Sequence, residues 1–301
     1  MNQRAKITFA PATPMGLTPG ACPLVDARID PDEEAAASPS TPGSVSDYWR
    51  KRWSVSDTSW HQAGVHQMLE RFHDQLLGDC YGCSVLVPLC GCADDMGALA
   101  LRGYEVVGCE GEDIVIDQLF ASFGDELDTW SSARRITLET ADVPRHAVRA
   151  ARSSLDSNAT MRVVQGDFTA LDASTLGSLG LRPFDAAFDR AAIVAVEPDV
   201  RPRYAAVLSE LLAAGGRVLL VVVEHAGMIN GSGSPTPGPP FSIGEPEVRD
   251  LFGGAFYVSL LERDDKSERY RELGWLVEGG FYHEVAYLLT RRGGPSACER
   301  G

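Results

Sequence analysis

The chain has 301 residues, 44% of them hydrophobic, which is long and apolar enough for one large globular domain with a substantial core. Its 42 acidic residues outnumber 27 basic ones, so the formal net charge of -15 argues against the clustered basic surface that nucleic-acid binding needs. The one moderately basic stretch, Arg145 to Arg152, is short and is predicted to be a solvated face. No apolar run approaches the roughly 20 residues needed to span a bilayer. We predict no contact with nucleic acid or with a membrane.

The cysteines and the N-terminus favour an intracellular protein. Seven cysteines are an odd number, and five of them cluster between Cys80 and Cys109. A secreted disulfide scaffold is typically smaller, has an even number of cysteines and follows a signal peptide. Residues 1–20 contain no continuous apolar segment. We therefore predict a cytoplasmic location.

Composition divides the chain into three parts. Ala10 to Gly43 is rich in Pro, Ala, Ser, Thr and Gly and shows neither strand alternation nor a helical face. Residues 1–44 are accordingly predicted to be a disordered extension, because such a segment buries too little apolar surface to offset its ordering entropy. Residues 45–292 are predicted to form one domain and residues 293–301 a disordered tail. We predict a monomer.

From Asp47 onward the pattern is typical of an α/β domain. Apolar residues recur at three- and four-residue spacings from Val65 to Leu77, as in an amphipathic helix. The predicted strands that follow are Cys83–Pro88, Tyr104–Cys109, Met161–Gln165, Phe184–Phe188 and Arg217–Val223. The predicted helices between them are Met96–Arg102, Ile114–Phe123, Arg203–Ala213 and a helix near Arg145–Ser154.

Alternating strands and helices indicate a mostly parallel sheet with helices on both faces. At the end of the domain, Phe256–Arg263 and Phe281–Thr290 are too close for a parallel crossover and predict an antiparallel hairpin. The predicted fold is therefore α/β, a doubly wound sheet with an antiparallel C-terminal hairpin. Gly227–Pro240, before this hairpin, is too long for a simple connection, and we predict that it is a lid.

The first two predicted strands end in residues suited to a nucleoside. Gly91 follows the first strand, where a glycine lets the backbone approach a ligand at the N-terminus of the next helix. Glu110 closes the second strand, where a carboxylate can accept hydrogen bonds from ribose hydroxyls. The pair fits NAD or S-adenosylmethionine, and a structural turn beside an incidental acid is the alternative. A single glycine at the turn disfavours NAD, whose pyrophosphate needs several close backbone approaches.

The third and fourth predicted strands also end in candidate ligand-binding residues. Asp167 could accept a hydrogen bond from an adenine amine and Phe168 could stack on its ring, although a turn aspartate beside a core phenylalanine would look the same. Arg190 could orient an anionic substrate or stabilise a thiolate. The alternative for Arg190 is a surface ion pair with Asp189.

The cysteine spacing admits a zinc site. Cys80-x2-Cys83 followed by Cys90-x-Cys92 contains four thiolate donors. However, Cys83 opens an apparently buried strand and Cys90 lies on the proposed cofactor turn, so a strand separates the two pairs. We predict that these cysteines are buried small hydrophobic residues and that the protein binds no metal.

Several motifs occur together in one order. They are Tyr48-Trp49-Arg50-Lys51-Arg52-Trp53, Trp60-His61-Gln62, Pro88-Leu89-Cys90-Gly91, Val106 to Glu110, Asp189-Arg190 and Gly238-Pro239-Pro240-Phe241. Over roughly residues 47–292 the chain thereby resembles the thiopurine S-methyltransferases, which are class I methyltransferases that use S-adenosylmethionine. The resemblance implies a Rossmann-like fold with a seven-stranded sheet.

The resemblance also implies which residues form the site. The cofactor S-adenosylmethionine, which leaves as S-adenosylhomocysteine, would be bound by Trp49, Trp53, Leu89, Gly91, Glu110, Gly166, Asp167, Phe168 and Arg190. A small-molecule thiol acceptor would contact Trp60, Arg190, Phe241 and Arg269. Arg190 is the candidate catalytic residue, because nearby positive charge favours the anionic form of the acceptor sulfur.

The implied reaction is an in-line displacement in which a thiol or thiolate attacks the methyl carbon. The donor is already activated, so alignment and exclusion of water are the main tasks of the protein. The predicted function is methylation of the sulfur of an aromatic or heterocyclic thiol such as a thiopurine. Two alternatives stay open. One is a thiol, halide, selenium or tellurium methyltransferase of the same superfamily, and the other is a non-catalytic cofactor-binding interaction protein.

Overall fold

The computed structural model describes residues 44–55, 62, 64–122, 127–128, 147–153, 160–236 and 238–293. The predicted disordered extension, apart from Ser44, lies outside the described residues, as do residues 294–301 of the predicted tail. Trp60 also lies outside them.

A mixed sheet organises the described residues. Its strands are β1 (Ser84–Val87), β2 (Glu105–Glu110), β3 (Leu127–Asp128), β4 (Ala147–Ser153), β5 (Thr160–Gln165), β6 (Phe184–Arg190), β7 (Leu212–Met228), β8 (Phe256–Asp265) and β9 (Leu276–Arg291). Their spatial order is β3-β4-β5-β2-β1-β6-β7-β9-β8.

Helices connect most of these strands. They are α1 (Ser44–Ser54), α2 (Gln67–Leu77), α3 (Asp94–Leu101), α4 (Asp113–Ser122), α5 (Ala173–Ser178), α6 (Arg201–Leu211), α7 (Glu245–Phe252) and α8 (Ser267–Glu272), with short 3₁₀ turns at Phe168–Ala170 and Ile193–Ala195. Among the described helices, none combines the length and hydropathy needed to cross a bilayer.

The predicted seven-stranded arrangement is confirmed by seven consecutive strands of the sheet, from β5 to β8 in the spatial order. Strands β5, β2, β1, β6 and β7 are parallel neighbours. Strands β9 and β8 then pair antiparallel, so the predicted hairpin is present, with α8 between its strands. All four residues of β1 are buried because helices cover both faces of the sheet.

The helix predicted near Arg145–Ser154 is wrong. Residues 147–153 form β4, which pairs antiparallel with β5, and β3 pairs with β4 in turn. These two strands extend the sheet to nine. An isolated helix of this length is marginal in water, whereas a strand here satisfies the backbone groups that β5 would otherwise expose at the sheet edge.

Two hydrophobic clusters define two faces of the sheet. Face A is covered by α2, α3 and α4, and face B by α5, α6 and α7. In β6, Ala186 and Phe188 contribute to the face A cluster and Ala187 to the face B cluster. Because successive side chains of a strand point to opposite faces, Asp189 is directed to face B and Arg190 to face A.

Candidate active site

The turn after β1 has an unusual backbone that brings it close to α1. Leu89 and Gly91 have φ values of 43° and 53°, in the left-handed region. The N–H of Cys90 donates to the carbonyl of Cys109 at 2.9 Å, which ties the turn to β2. A Cβ atom at Gly91 would lie 3.4 Å from Cζ2 of Trp53, so the indole lies directly against the turn.

Glu110, at the end of β2, joins the turn to the following residues. Its carboxylate accepts hydrogen bonds from the N–H of Gly91 at 3.1 Å, of Gly111 at 2.7 Å and of Glu112 at 2.9 Å. Burial raises the pKa of Glu110, and these three hydrogen bonds oppose the rise. A carboxylate has about four lone-pair positions, so Glu110 keeps capacity for a ligand hydroxyl.

Helix α1 places Trp53 beside this turn and Trp49 one helical turn earlier. Trp53 is buried and Trp49 is half-buried against the same face A cluster. Nε of Arg50 lies 3.0 Å from Oε2 of Glu112, which links α1 to the segment after β2. Aromatic faces attract cations, so this arrangement suits a positively charged sulfonium near the turn.

The end of β5 carries the predicted adenine contacts. Gly166 is partly exposed and Asp167 exposed, and Oδ1 of Asp167 accepts 2.8 Å hydrogen bonds from the N–H and hydroxyl of Thr169. The ring of Phe168 belongs to the face B core, where its centroid is 4.8 Å from that of Tyr204. Phe168 is therefore a core residue, as in the alternative of a turn aspartate beside a core phenylalanine. Its contact with adenine stays a prediction.

The end of β6 separates Asp189 from Arg190. Asp189 is fully buried and accepts a 2.7 Å hydrogen bond from the hydroxyl of Tyr204, so the alternative of an Asp189–Arg190 surface ion pair is wrong. Burial raises the pKa of Asp189 to about 6. Arg190 is partly buried on face A, and Ala191 follows it with a φ of 61°.

The predicted acceptor residues lie on separate elements. Phe241 is partly buried, and its N–H donates to the carbonyl of Val194 at 2.7 Å. Arg269 is exposed on α8. Next to Arg269, Tyr270 stacks on Tyr282 with centroids 3.8 Å apart, and Tyr282 stacks on His225 at 5.8 Å.

The proposed lid, Gly227–Pro240, is described except at residue 237, and its described part forms a turn. Strand β7 continues to Met228, and Ile229 then forms a bridge with Pro235. Oδ1 of Asn230 accepts from the N–H of Ser232 and of Ser234 at 3.1 and 2.9 Å. Nε2 of His225 lies 2.8 Å from the carbonyl of Pro240, which connects the end of this loop to the ring stack. Its role as a lid stays a prediction.

The prediction that the clustered cysteines are buried small hydrophobic residues is wrong for Cys80. Cys80 is exposed and forms a disulfide with Cys83, and their Cα atoms are 5.8 Å apart. Cys90, Cys92 and Cys109 are buried and take no part in this disulfide. The described residues contain no group of three or more His, Cys, Asp or Glu side chains arranged to hold a metal ion. The short turn between Cys80 and Cys83 brings the two thiols together, which their spacing alone did not decide.

Comparison with known protein families identifies the chain. The family model of the thiopurine S-methyltransferases matches residues 44–292. The chain belongs to the thiopurine S-methyltransferase family. The match includes α1 and extends to the end of the antiparallel hairpin, so the tryptophans beside the turn belong to the family domain.

Individual relatives agree with this family assignment. The thiopurine S-methyltransferase of Rattus norvegicus is 31% identical over 248 residues, which cover 82% of this chain and 91% of the relative. That of Azotobacter vinelandii is 34% identical over 257 residues, covering 82% and 99%.

A solved structure supports the fold alone. It is a phosphoethanolamine N-methyltransferase 2 of Haemonchus contortus in complex with S-adenosyl-L-methionine, with a TM-score of 0.50 and 11% identity. The match covers 88% of this chain and 61% of that one.

Sequence reasoning missed a polar cluster in this family domain. His66, Asp95 and Glu284 are buried together on face A. Glu284 had a usable signal, because it is an acid within an otherwise mostly apolar C-terminal strand. The other residues that sequence reasoning did not single out are His225, Tyr270 and Tyr282.

Proposed function

We propose that this thiopurine S-methyltransferase family member transfers the methyl group of S-adenosylmethionine to the sulfur of a small aromatic or heterocyclic thiol. The observation that carries the proposal is the joining of Gly91, Trp53 and Glu110 at the carboxyl ends of β1 and β2. This is the edge of an open α/β sheet where ligands bind.

The residues at this edge fit the cofactor. Ribose hydroxyls would donate to Glu110, and the amino-acid part would lie along the turn of Leu89 and Gly91, just before the N-terminus of α3. Trp49 and Trp53 would face the sulfonium. Gly166, Asp167 and Phe168 would contact the adenine. S-adenosylmethionine, when bound, supplies a methyl group on a positively charged sulfur.

The chain's own residues would align the acceptor. Arg190 ends β6, which lies between β1 and β7, and its side chain is directed to face A. Its positive charge would favour the thiolate form of the acceptor. Tyr270 and His225 both stack on the buried ring of Tyr282, and the exposed parts of these two rings would contact an aromatic acceptor. Phe241, Arg269 and Trp60 would complete the acceptor site. No covalent intermediate on the protein is needed, since alignment and exclusion of water suffice.

Calorimetric titration with S-adenosylhomocysteine tests the cofactor assignment. We expect micromolar-range binding to the wild type and at least about tenfold weaker binding to Glu110→Ala, about 1.4 kcal/mol, because the ribose acceptor is lost. Glu110→Gln keeps the side-chain length and separates this loss from collapse of the turn. Glu105→Ala, at the exposed start of the same strand, is the control and should bind like the wild type.

An acceptor panel separates the proposed function from its alternatives. Methylation of aromatic thiols in preference to iodide, bisulfide, selenite or tellurite supports the thiopurine type. Preference for one of the inorganic acceptors favours the other branch of the superfamily. Tight cofactor binding without turnover of any acceptor favours a non-catalytic interaction protein.

A further inference from the structure

Three ionisable side chains are buried together on face A. His66 is 3%, Asp95 6% and Glu284 7% exposed. His66 is the N-cap of α2, Asp95 lies in the first turn of α3 and Glu284 lies on β9. Aspartate and glutamate are almost never fully buried unless they are paired, so a cation is required nearby.

The contacts of His66 orient its ring toward Glu284. The N–H of Met68 donates to Nδ1 of His66 at 3.3 Å, and the N–H of His66 donates to Oδ1 of Asp95 at 2.7 Å. Since Nδ1 is an acceptor, the neutral ring carries its proton on Nε2. Nε2 lies 3.4 Å from Oε1 of Glu284, so the ring nitrogen is close to this carboxylate although the pair is outside hydrogen-bond geometry.

Arg190 shares this face. Phe188, two residues earlier on β6, has its ring centroid 6.3 Å from that of His66. Arg190 pairs with Val221 of β7, and Glu284 pairs with Val223 two residues further along the same strand. Alternation also places Glu284 on face A, since Ala286 contributes to the face A cluster. Arg190 and Glu284 therefore lie on one face of the sheet, on strands separated only by β7.

The electrostatics agree with this placement. Burial opposes ionisation of Glu284, yet its pKa is lowered because His66 and the positive charges of Arg190 and Lys266 stabilise the anion. Burial raises the pKa of Asp95, and the hydrogen bond from His66 and the charge of Arg190 oppose that rise. The positive charge of Arg190 thus favours the anionic form of both carboxylates.

We propose that Glu284 and Asp95, held by His66, are positioning residues that orient the guanidinium of Arg190 toward the acceptor sulfur. A guanidinium offers five N–H donors in a rigid planar fork. The two carboxylates would accept hydrogen bonds from some of these N–H groups, and the remaining N–H groups would face the acceptor. The proposal rests on the proposed function. The alternative is that these three residues are purely structural and only attach α2 and α3 to the sheet.

Glu284→Gln is the direct test, because it removes the charge and keeps the shape. We expect kcat/KM for an aromatic thiol to fall at least about tenfold, while S-adenosylhomocysteine affinity stays within about twofold of the wild type. Glu278→Gln, an exposed position on the same strand, is the matched control and should keep the wild-type kcat/KM. Equal losses of kcat/KM and of cofactor affinity in Glu284→Gln would mean a structural role.

A double-mutant cycle tests whether Glu284 acts through Arg190. In an Arg190→Gln background, Glu284→Gln should change kcat/KM by less than about twofold, because the group that it orients is gone. A full effect in both backgrounds overturns the proposal. If Glu284→Gln does not fold, Asp95→Asn replaces it in the cycle, and unfolding of both variants assigns the cluster to stability alone.

The wild type separates this failure from failure of the proposed function. No wild-type methyl transfer to any sulfur acceptor overturns both. Wild-type transfer with additive effects of the two substitutions overturns only the positioning role.

Discussion

Two residues other than glycine adopt left-handed backbone conformations among the described residues, Leu89 and Ala191. They follow β1 and β6, the strands whose ends form the cofactor turn and present Arg190. Such conformations cost on the order of 1–3 kcal/mol each and persist where surrounding structure imposes them, often at functional sites. Their position at two strand ends on the carboxyl edge is independent support for placing the site there.

Gly108 is the residue that lets the cofactor turn pack onto β2. A Cβ atom at this position would lie 2.6 Å from Sγ of Cys90 and 2.8 Å from Cε of Met96. We expect Gly108→Ala to lower the free energy of unfolding by about 1–3 kcal/mol through overpacking. It should also weaken S-adenosylhomocysteine binding, because Cys90 must move with the turn. Urea denaturation and calorimetry measure the two effects.

Gly177 provides the matched control for Gly108. It lies in α5, and a Cβ atom there would meet nothing within 4 Å. Gly177→Ala should raise the free energy of unfolding by about 0.5–1 kcal/mol, because alanine is the better helix former. Destabilisation of similar size by both substitutions would contradict a steric requirement specific to Gly108.

At the scale of elements, Arg201 fixes the loop that carries Phe241. This arginine of α6 is 1% exposed. Its guanidinium donates to the carbonyls of Val196 at 3.2 Å, Phe241 at 3.4 Å and Ser242 at 3.4 Å, and to Glu247 at 2.6 Å. The ring of Phe241 lies 5.9 Å from the same guanidinium. One side chain therefore joins the segment after β6 to the end of the loop before α7.

We expect Arg201→Met to lower the free energy of unfolding by about 3 kcal/mol, because it leaves buried carbonyls and one carboxylate without their donor. The acceptor KM should rise as Phe241 shifts, while S-adenosylhomocysteine affinity should change little. Steady-state kinetics and urea denaturation test both effects. The control is Arg249→Met on α7, which removes an exposed ion pair with Glu245 and should cost less than about 1 kcal/mol. Unchanged acceptor KM in Arg201→Met would remove the link between this arginine and the loop.

At the scale of the whole molecule, α1 belongs to the functional domain although it precedes the sheet. Trp53 lies against Gly91, and Arg50 pairs with Glu112. We expect deletion of residues 1–43 to preserve cofactor affinity and kcat, in agreement with the predicted extension. Deletion of residues 1–55 should abolish S-adenosylhomocysteine binding, because the turn loses its aromatic partner. Calorimetry on both shortened proteins measures this difference, and equal behaviour would contradict it.

Much of the sheet could be predicted from sequence because its signals are local. Buried parallel strands appear as short apolar runs, and five of the seven predicted strands begin within two residues of their predicted starts, as for β1 (Ser84–Val87) and β2 (Glu105–Glu110). Strands β7 (Leu212–Met228) and β9 (Leu276–Arg291) begin five residues before their predicted starts. Strand β4 was mistaken for a helix, because its apolar and basic residues satisfy either pattern until the edge of β5 is available to pair with it.

The candidate site divides in the same way. Gly91, Glu110, Asp167 and Arg190 could be predicted as ligand-binding residues, because each lies at or just after the end of a strand and parallel strands end at one edge. Phe168 and Asp189 needed the structure, since only packing shows that both are buried against Tyr204.

The sequence by itself determined the class of sheet and the family, because both depend on motifs of neighbouring residues with a definite spacing, and the same motifs predict the cofactor turn. Tertiary structure alone decided what surrounds Arg190. His66, Asp95 and Glu284 come from α2, α3 and β9, and they meet because helix packing and strand register place them on face A. A shift of one residue in β9 would direct Glu284 to the opposite face. No local sequence pattern predicts the register of β9, so the residues around Arg190 could be identified only from the folded sheet.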